Sequence, residues 1–188
     1  MMNTSSSRPE LSHLGIFTDR QEEMLAFYEQ VLGLVVTDAG VAQKFKRRIV
    51  FMTSHPERHH QFVLVARTPE DPPCSPLFQI SFRVHSLALL REAHIRAMAA
   101  GVIHFRPINH GNSWSLYFED PERNTIEVYM ETPWYIAQPF ADDLDLSLTD
   151  KEIFQITEAR LKEFDTTKAA EQWSLHMEER LAAKPFMK

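Results

Sequence analysis

The chain has 188 residues, a formal net charge of −6 and an apolar fraction of 44%. This length suits one domain, or two small modules that share a core, and the acidic balance gives no reason to expect binding to nucleic acid or to an anionic membrane. A single cysteine, Cys74, excludes an intrachain disulfide framework. Residues 1–9 are polar, which predicts a disordered leader of a cytoplasmic protein and neither a signal peptide nor a membrane span.

Residues 10–67 have the pattern of a β-α-β-β-β unit. An apolar run from Leu11 to Phe17 predicts the first strand. Asp19, followed by Glu22, predicts the start of a helix, and Gly33 predicts its end. Three further strands are predicted at residues 34–37, 45–53 and 59–66.

The same order returns after a proline-rich linker at residues 68–76. Residues 77–131 form the second unit, with a strand at 77–84 and a helix that begins after Ser86 and ends at Gly101. Strands are predicted near residues 103–106, 113–119 and 125–130. His13 and Gln79 are 66 residues apart and Gly33 and Gly101 are 68 apart, so corresponding positions of the two units are predicted 66 to 68 residues apart.

The repeat predicts an α+β fold in which two β-α-β-β-β modules form one open, barrel-like cavity. Under the offset of 66, Glu127 corresponds to position 61, and one residue of slippage would place His60 opposite Glu127. Residues 132–188 form a crossing segment and a helical tail, where Thr149 and Glu152 predict a capping box. The tail is expected to cover the barrel or to mediate a homodimer, because its apolar residues need a partner surface.

The strand at 125–130 carries a carboxylate, Glu127, among apolar neighbours. Such a side chain lies either on a solvated strand face or in the interior, where a carboxylate is costly unless it pairs with a cation or binds a metal. His110 and Tyr117 precede it in the same hairpin, and the strand period of two places Tyr117 on one face with Ser113 and Ser115.

In this order, His13, the Arg58-His59-His60-Gln61-Phe62 element and the hairpin from Asn109-His110-Gly111 to Glu127 resemble the vicinal oxygen chelate superfamily. Within it the chain is most similar to the type I extradiol (catechol 2,3-) dioxygenases. The resemblance covers residues 11–138. It implies an Fe(II)-dependent dioxygenase that cleaves the ring of an aromatic vicinal diol next to one hydroxyl, with a small aromatic substrate and dioxygen as partners.

The resemblance also implies the roles of individual residues. His13 and Glu127 take metal-ligand positions, His60 the position of the acid–base residue, and His110 and Tyr117 positions beside the substrate hydroxyls. The second histidine ligand of that branch is replaced here by Gln79. Imidazole and carboxylate ligands suit Fe(II), with Mn, Ni or Zn as alternatives, and an amide oxygen is a weaker donor than imidazole.

Two other classes stay open at this point. Glutamine is a ligand in the glyoxalase I branch of the same superfamily, so a metal-dependent isomerase or lyase is the first alternative. The second is a metal-free protein that binds a small molecule, like the drug-sequestering resistance proteins. Candidate aromatic walls of the cavity are Phe62, Phe82, Trp114 and Phe118, although strand parity leaves some of them facing the helices instead.

Overall fold

The computed structural model describes residues 11–42, 46–71 and 77–183, which form an α+β fold, as predicted. The order β-α-β-β-β occurs twice. The first set consists of β1 (Leu14–Thr18), α1 (Gln21–Leu32), β2 (Val35–Ala42), β3 (Arg47–Thr53) and β4 (Phe62–Ala66). The second consists of β5 (Ile80–Arg83), α2 (Leu87–Ala99), β6 (Arg106–Asn109), β7 (Ser113–Glu119) and β8 (Thr125–Glu131). The predicted leader, most of the proline-rich linker and Cys74 lie outside the described residues.

Each set builds its own sheet. The first has the strand order β1-β4-β3-β2, in which β1 and β4 are parallel and the other pairs are antiparallel. The second has the order β10-β6-β7-β8-β5, with β5 and β8 parallel and a short edge strand β10 (Asp142–Asp143) added by the tail. The described strands therefore form open sheets, without a closed barrel.

The two parallel ladders define which positions of the units correspond. Gly15 lies opposite Val63 in the first unit, and Ser81 lies opposite Glu127 in the second. Gly15 and Ser81 are 66 residues apart, whereas Val63 and Glu127 are 64 apart, because the second unit is two residues shorter between its first and last strands. The counterpart of Glu127 is therefore Val63, and the predicted slip that places His60 opposite Glu127 is wrong.

Helix α1 is capped by a residue of the other unit. The predicted Asp19 cap is wrong: the N-cap position is Arg20, which makes no side-chain capping bond. Instead, the Glu122 carboxylate accepts hydrogen bonds from the backbone N–H groups of Asp19 and Arg20, at 2.8 and 2.6 Å, and from the Thr18 hydroxyl. A carboxylate at this end of a helix satisfies unpaired N–H groups and complements the helix dipole. Gly33 ends α1 in the left-handed conformation, as predicted.

Tyr28 joins α1 to the β7–β8 turn in the interior. Its ring is fully buried and packs on Phe62 at a centroid distance of 4.4 Å. Its hydroxyl donates a hydrogen bond of 3.0 Å to Asp120. Burial and the neighbouring Asp120 charge raise the pKa of Tyr28 well above its ordinary value, and burial also raises the pKa of Asp120. The contact is one buried polar link between the two units.

Helix α3 (Asp150–Leu161) packs on the second unit and begins with the predicted capping box of Thr149 and Glu152. Its buried Thr157 hydroxyl accepts hydrogen bonds from the Asn109 amide at 3.0 Å and from the Trp114 indole N–H at 2.9 Å. These contacts satisfy polar groups that would otherwise be unpaired in the interior. Helix α3 thereby covers one face of the second sheet.

Helix α4 (Ala170–Ala183) buries none of its described side chains. It follows a small sheet of β9 (Trp134–Tyr135) and β11 (Lys168–Ala169), and Trp173 stacks on Tyr135 at 5.4 Å. Leu175 and Leu181 are exposed. The homodimer stays a prediction, which light scattering on the purified protein would test. Among the described residues, no helix combines the length and the apolar character needed to cross a membrane.

Candidate functional site

Glu127 lies in the middle of β8 and is only 7% exposed, so the interior alternative of the sequence analysis applies. Its Oε1 atom accepts a hydrogen bond of 2.6 Å from the Tyr117 hydroxyl. Its Oε2 atom accepts one of 2.9 Å from the Gln79 amide and one of 2.5 Å from the Ser81 hydroxyl. The carboxylate is therefore surrounded by three neutral donors.

Tyr117 extends this network toward His110. Its hydroxyl oxygen lies 2.9 Å from His110 Nε2, and His110 Nδ1 donates to the Phe140 carbonyl at 2.8 Å. Burial, followed by the hydrogen bond to Glu127 and its charge, raises the pKa of Tyr117, so its hydroxyl stays protonated at neutral pH. The contact with Phe140 shows that the crossing segment after β8 fixes one side of the site.

The residue after His110 must be glycine for this arrangement. Gly111 has a φ of 73°, and a Cβ atom there would lie 2.5 Å from Ile136 Cγ2 and 3.0 Å from Leu161 Cδ2. Both the left-handed conformation and the close approach exclude larger side chains. The packing of the tail against this turn therefore explains why a glycine follows His110.

A second group of side chains lies at the start of the first sheet. His13 directly precedes β1, as Gln79 directly precedes β5, and His60 lies in the loop before β4. The predicted strand at 59–66 thus begins later, at Phe62. The rings of His13 and His60 contact each other edge to face, with centroids 4.4 Å apart. Together with Ser12, Arg58 and His59 they line a cavity of about 360 Å³.

The environment of His60 favours its neutral form. Partial burial, followed by the neighbouring imidazoles of His13 and His59, lowers the pKa of His60. A neutral imidazole offers one nitrogen as a hydrogen-bond acceptor, which a general base requires. His59 is exposed, and its Nε2 atom lies 2.6 Å from Asp38 Oδ2.

The predicted site residues therefore lie in two groups. Gln79, Glu127, Tyr117 and His110 are connected by hydrogen bonds, and His13 contacts His60. In residues 11–42, 46–71 and 77–183 no three His, Cys, Asp or Glu side chains are grouped so that they could hold a metal ion. Of these four residue types the predicted ligand set contains only His13 and Glu127, because its third member is an amide.

Two polar residues of the site were missed by the sequence analysis. Ser81 donates to Glu127, and the strand period of two could have found it, because Ser81 follows Gln79 by two residues. Arg106 lies opposite Tyr117 on β6, with its guanidinium 5.4 Å from the centre of the Tyr117 ring. A second cavity, of about 580 Å³, is lined by Arg106, by Tyr117 and by the end of β7. No local pattern indicated that Arg106 would lie on the Tyr117 ring.

The aromatic residues predicted as cavity walls belong to the core. Phe62 and Phe82 pack on Tyr28 of α1, at 4.4 and 6.2 Å, and Phe118 packs on Phe27 of α1 at 6.3 Å. Trp114 donates its indole N–H to helix α3. One cause explains why these side chains do not form cavity walls. The alternation of side chains along a strand separates its two faces, but it does not show which face the helices cover.

Comparisons with known proteins agree with this fold. A model of the Glyoxalase/Bleomycin resistance protein/Dioxygenase superfamily matches residues 10–128. Biphenyl-2,3-diol 1,2-dioxygenase 2 of Rhodococcus globerulus is 26% identical over 156 residues, which cover 74% of this chain and 79% of the relative. Biphenyl-2,3-diol 1,2-dioxygenase 3 of the same organism is 27% identical over 128 residues, which cover 65% and 64% of the two chains.

Solved structures share the fold at low identity. A glyoxylase/bleomycin resistance protein/dioxygenase domain from Frankia sp. EAN1pec has a TM-score of 0.56 at 20% identity and covers 67% of this chain and 100% of its own. The fosfomycin resistance protein FosX from Listeria monocytogenes, a mutant complexed with Mn(II) and a dihydroxypropylphosphonic acid, has a TM-score of 0.50 at 18% identity. It covers 65% of this chain and 93% of its own.

Proposed function

The chain belongs to the Glyoxalase/Bleomycin resistance protein/Dioxygenase superfamily, and we propose that within it the protein is an Fe(II)-dependent extradiol-type dioxygenase that cleaves the ring of an aromatic vicinal diol. Similarity to two proteins named biphenyl-2,3-diol 1,2-dioxygenases supports this reaction class. The observation that carries the proposal is the buried Glu127 carboxylate, which has three hydrogen-bond donors but no cationic partner among the described residues.

A buried carboxylate without a cation is an energetically costly arrangement that a bound metal ion would relieve. In the described part of the chain, Glu127 takes part in no ion pair, and its contacts are the hydroxyls of Tyr117 and Ser81 and the Gln79 amide. Oε2 receives two donors and Oε1 only one, so Oε1 keeps a free lone pair. The carboxylate is therefore oriented by its neighbours and still able to bind a cation.

The other two proposed ligands also keep a free donor atom. His13 Nδ1 lies 3.1 Å from the Ser12 hydroxyl, which leaves Nε2 for a metal. The Gln79 side chain donates through its nitrogen to Glu127 and Ser81, so its oxygen is available. We propose His13, Gln79 and Glu127 as the ligands of Fe(II), with Mn, Ni or Zn as the alternatives. Nitrogen and oxygen donors of this kind suit all four ions.

Fe(II) held by three protein ligands would supply open coordination positions where a catecholate and dioxygen meet. The residues of the chain would transfer protons and orient the substrate. His60, as a neutral imidazole, would take the proton of a substrate hydroxyl. His110 and Tyr117 are proposed to contact the substrate oxygens, and the contact of His110 with Phe140 keeps its ring in place for that role.

The proposal is tested by anaerobic reconstitution with Fe(II), followed by desalting and metal analysis. The wild type is expected to retain one equivalent, and Glu127→Gln is expected to lose it. Glu131→Gln is the matched control, because Glu131 lies on the same strand but is exposed and paired with Arg83. Reconstituted wild type should consume oxygen with biphenyl-2,3-diol or a simpler catechol. A wild type that retains no metal under any condition would refute both metal-dependent functions and leave the metal-free binding protein.

One observation favours a second candidate function. An amide at position 79 in place of imidazole favours a metal-dependent isomerase or lyase, since it leaves the metal with a weaker donor set and a different ligand field. In that case the wild type would bind Ni(II) or Zn(II), and turnover of an α-keto hemithioacetal would be independent of oxygen. Gln79→His should strengthen Fe(II) binding under either function, but it should raise oxygen-dependent turnover only if the dioxygenase assignment is correct, and this difference separates the two.

A further inference from the structure

A chain of three polar side chains leads from β2 to His60. Asp38 Oδ2 lies 2.6 Å from His59 Nε2, and His59 Nδ1 lies 2.9 Å from His60 Nδ1. The two imidazole rings are nearly perpendicular, at 89°. Phe51 of β3 packs against both, with centroid distances of 5.8 and 5.1 Å. The Phe51 ring of the neighbouring strand thus supports the two histidine side chains.

A β-bulge places Asp38 on the correct face for this contact. Val36 lies opposite Met52, but the register then shifts, and Asp38 lies opposite Phe51. In an unshifted ladder Asp38 would lie opposite Val50, which is fully buried, so its carboxylate would face the core. Bulges that re-aim a side chain are frequent next to active sites. The irregularity of β2 has the effect of turning Asp38 toward the histidine pair.

The partners determine which nitrogen of each ring carries hydrogen. An ionised carboxylate only accepts hydrogen bonds, so His59 Nε2 is the donor to Asp38. A neutral His59 then has a lone pair on Nδ1, which accepts a hydrogen bond from His60 Nδ1. His60 is thereby held as the Nδ1–H tautomer, and its Nε2 carries the lone pair.

We propose that Asp38 and His59 are positioning residues that hold His60 in the tautomer in which Nε2 is the proton acceptor. The proposal rests on the proposed function, in which His60 takes a proton from a substrate hydroxyl. In that step the O–H bond breaks, its electron pair stays on the substrate oxygen, and the proton bonds to His60 Nε2. The positive charge that forms on His60 is stabilised through His59 by the Asp38 carboxylate.

The first test reads the tautomer directly, without turnover. Long-range ¹H–¹⁵N spectra of the metal-free full chain, labelled at histidine, are recorded at pH 8.5, about two units above the usual imidazole pKa. His60 is assigned with a His60→Gln variant. We expect the Nδ1–H pattern in the wild type and in His59→Gln, whose amide oxygen can accept the same hydrogen bond. His59→Leu should shift His60 toward the Nε2–H form. An Nε2–H wild type, or a His60 tautomer that does not change in His59→Leu, would overturn the proposal.

The second test measures kinetics of the Fe(II)-loaded protein. His59→Leu should lower kcat about 10- to 100-fold with KM within about threefold, as expected when a general base is misoriented. His59→Gln should recover most of this loss. His55→Leu is the matched control, because His55 is an exposed imidazole outside the chain of contacts, and it should leave kcat unchanged. Equal metal content and thermal stability of the variants exclude a purely structural effect.

The two tests also separate this proposal from the proposed function. A wild type that turns over a catechol while His59→Leu keeps its kcat would overturn the positioning role and leave the dioxygenase assignment. A wild type with the Nδ1–H tautomer and one bound metal, but no oxygen-dependent turnover of any diol, would overturn the dioxygenase assignment and the catalytic role with it.

Discussion

The hydrogen bond between Tyr28 and Asp120 allows a sharp test of how the two units are held together. Replacing Tyr28 by phenylalanine removes the hydroxyl, which lies 3.0 Å from Asp120 Oδ2, and keeps the ring that packs on Phe62. The substitution therefore isolates one polar contact between α1 and the β7–β8 turn. The fold around it should be unchanged, because the packed volume is nearly the same.

The expected loss of stability depends on the hydrogen bonds that Asp120 keeps in the variant. A hydrogen bond to a charged group contributes about 1.5 to 3 kcal/mol to stability. In Tyr28→Phe, Asp120 still accepts from the Glu122 and Asn124 backbone N–H groups and from the Asn124 amide. The carboxylate is not left unpaired, so we expect the lower part of that range, about 1.5 to 2 kcal/mol. For a chain of this size the melting temperature should fall by about 3 to 8 °C.

Urea unfolding at pH 7, followed by circular dichroism, measures this loss. Tyr129→Phe is the matched control: Tyr129 is half-buried, and its hydroxyl makes no hydrogen bond within the described residues, so a change within about 0.5 kcal/mol is expected. A double-mutant cycle with Asp120→Asn should give a coupling energy above about 0.5 kcal/mol. If Tyr28→Phe is no more destabilising than Tyr129→Phe, the buried contact does not hold the units together.

Two further substitutions test local features of the fold. Arg123 has a φ of 65°, a left-handed backbone conformation that is strained for a residue with a side chain. Arg123→Gly should remove this strain and stabilise the protein by about 0.5 to 1 kcal/mol. A lower melting temperature of the variant would contradict this reasoning. Thr157→Val leaves the Asn109 amide and the Trp114 indole without their common acceptor, which should cost about 2 to 4 kcal/mol in urea unfolding. Thr157→Ser keeps the hydroxyl and should cost clearly less; equal losses would show that the hydrogen bonds are not the cause.

Local sequence patterns predicted most of the secondary structure correctly. Alternating apolar residues predicted β7 and β8 closely, and Gly33 and the Thr149–Glu152 box marked helix ends where the structure has them. These features depend on residues within a few positions of each other, which is why the sequence shows them. The internal repeat is also readable, because both units have the same order of strand and helix signals.

The sequence allowed the site residues to be predicted, but it did not show their surroundings in the folded protein. Glu127 was recognisable as a carboxylate in an apolar strand, yet its burial and its three donors required β5, β7 and β8 to be paired in a particular register. The predicted cap of α1 failed for the same reason. Its partner, Glu122, is about a hundred residues away in the chain, and no local pattern connects the two.

The alternation of strands and helices, the repeat and the types of side chain available for chemistry can all be read from the order of the residues. Tertiary structure alone decided that Val63, and not His60, corresponds to Glu127, and that the bulge in β2 turns Asp38 toward His59. The physical reason is that strand register and side-chain facing are set by long-range hydrogen bonds and by which face the helices bury. Those interactions form between segments far apart in the chain, so local propensity does not encode them.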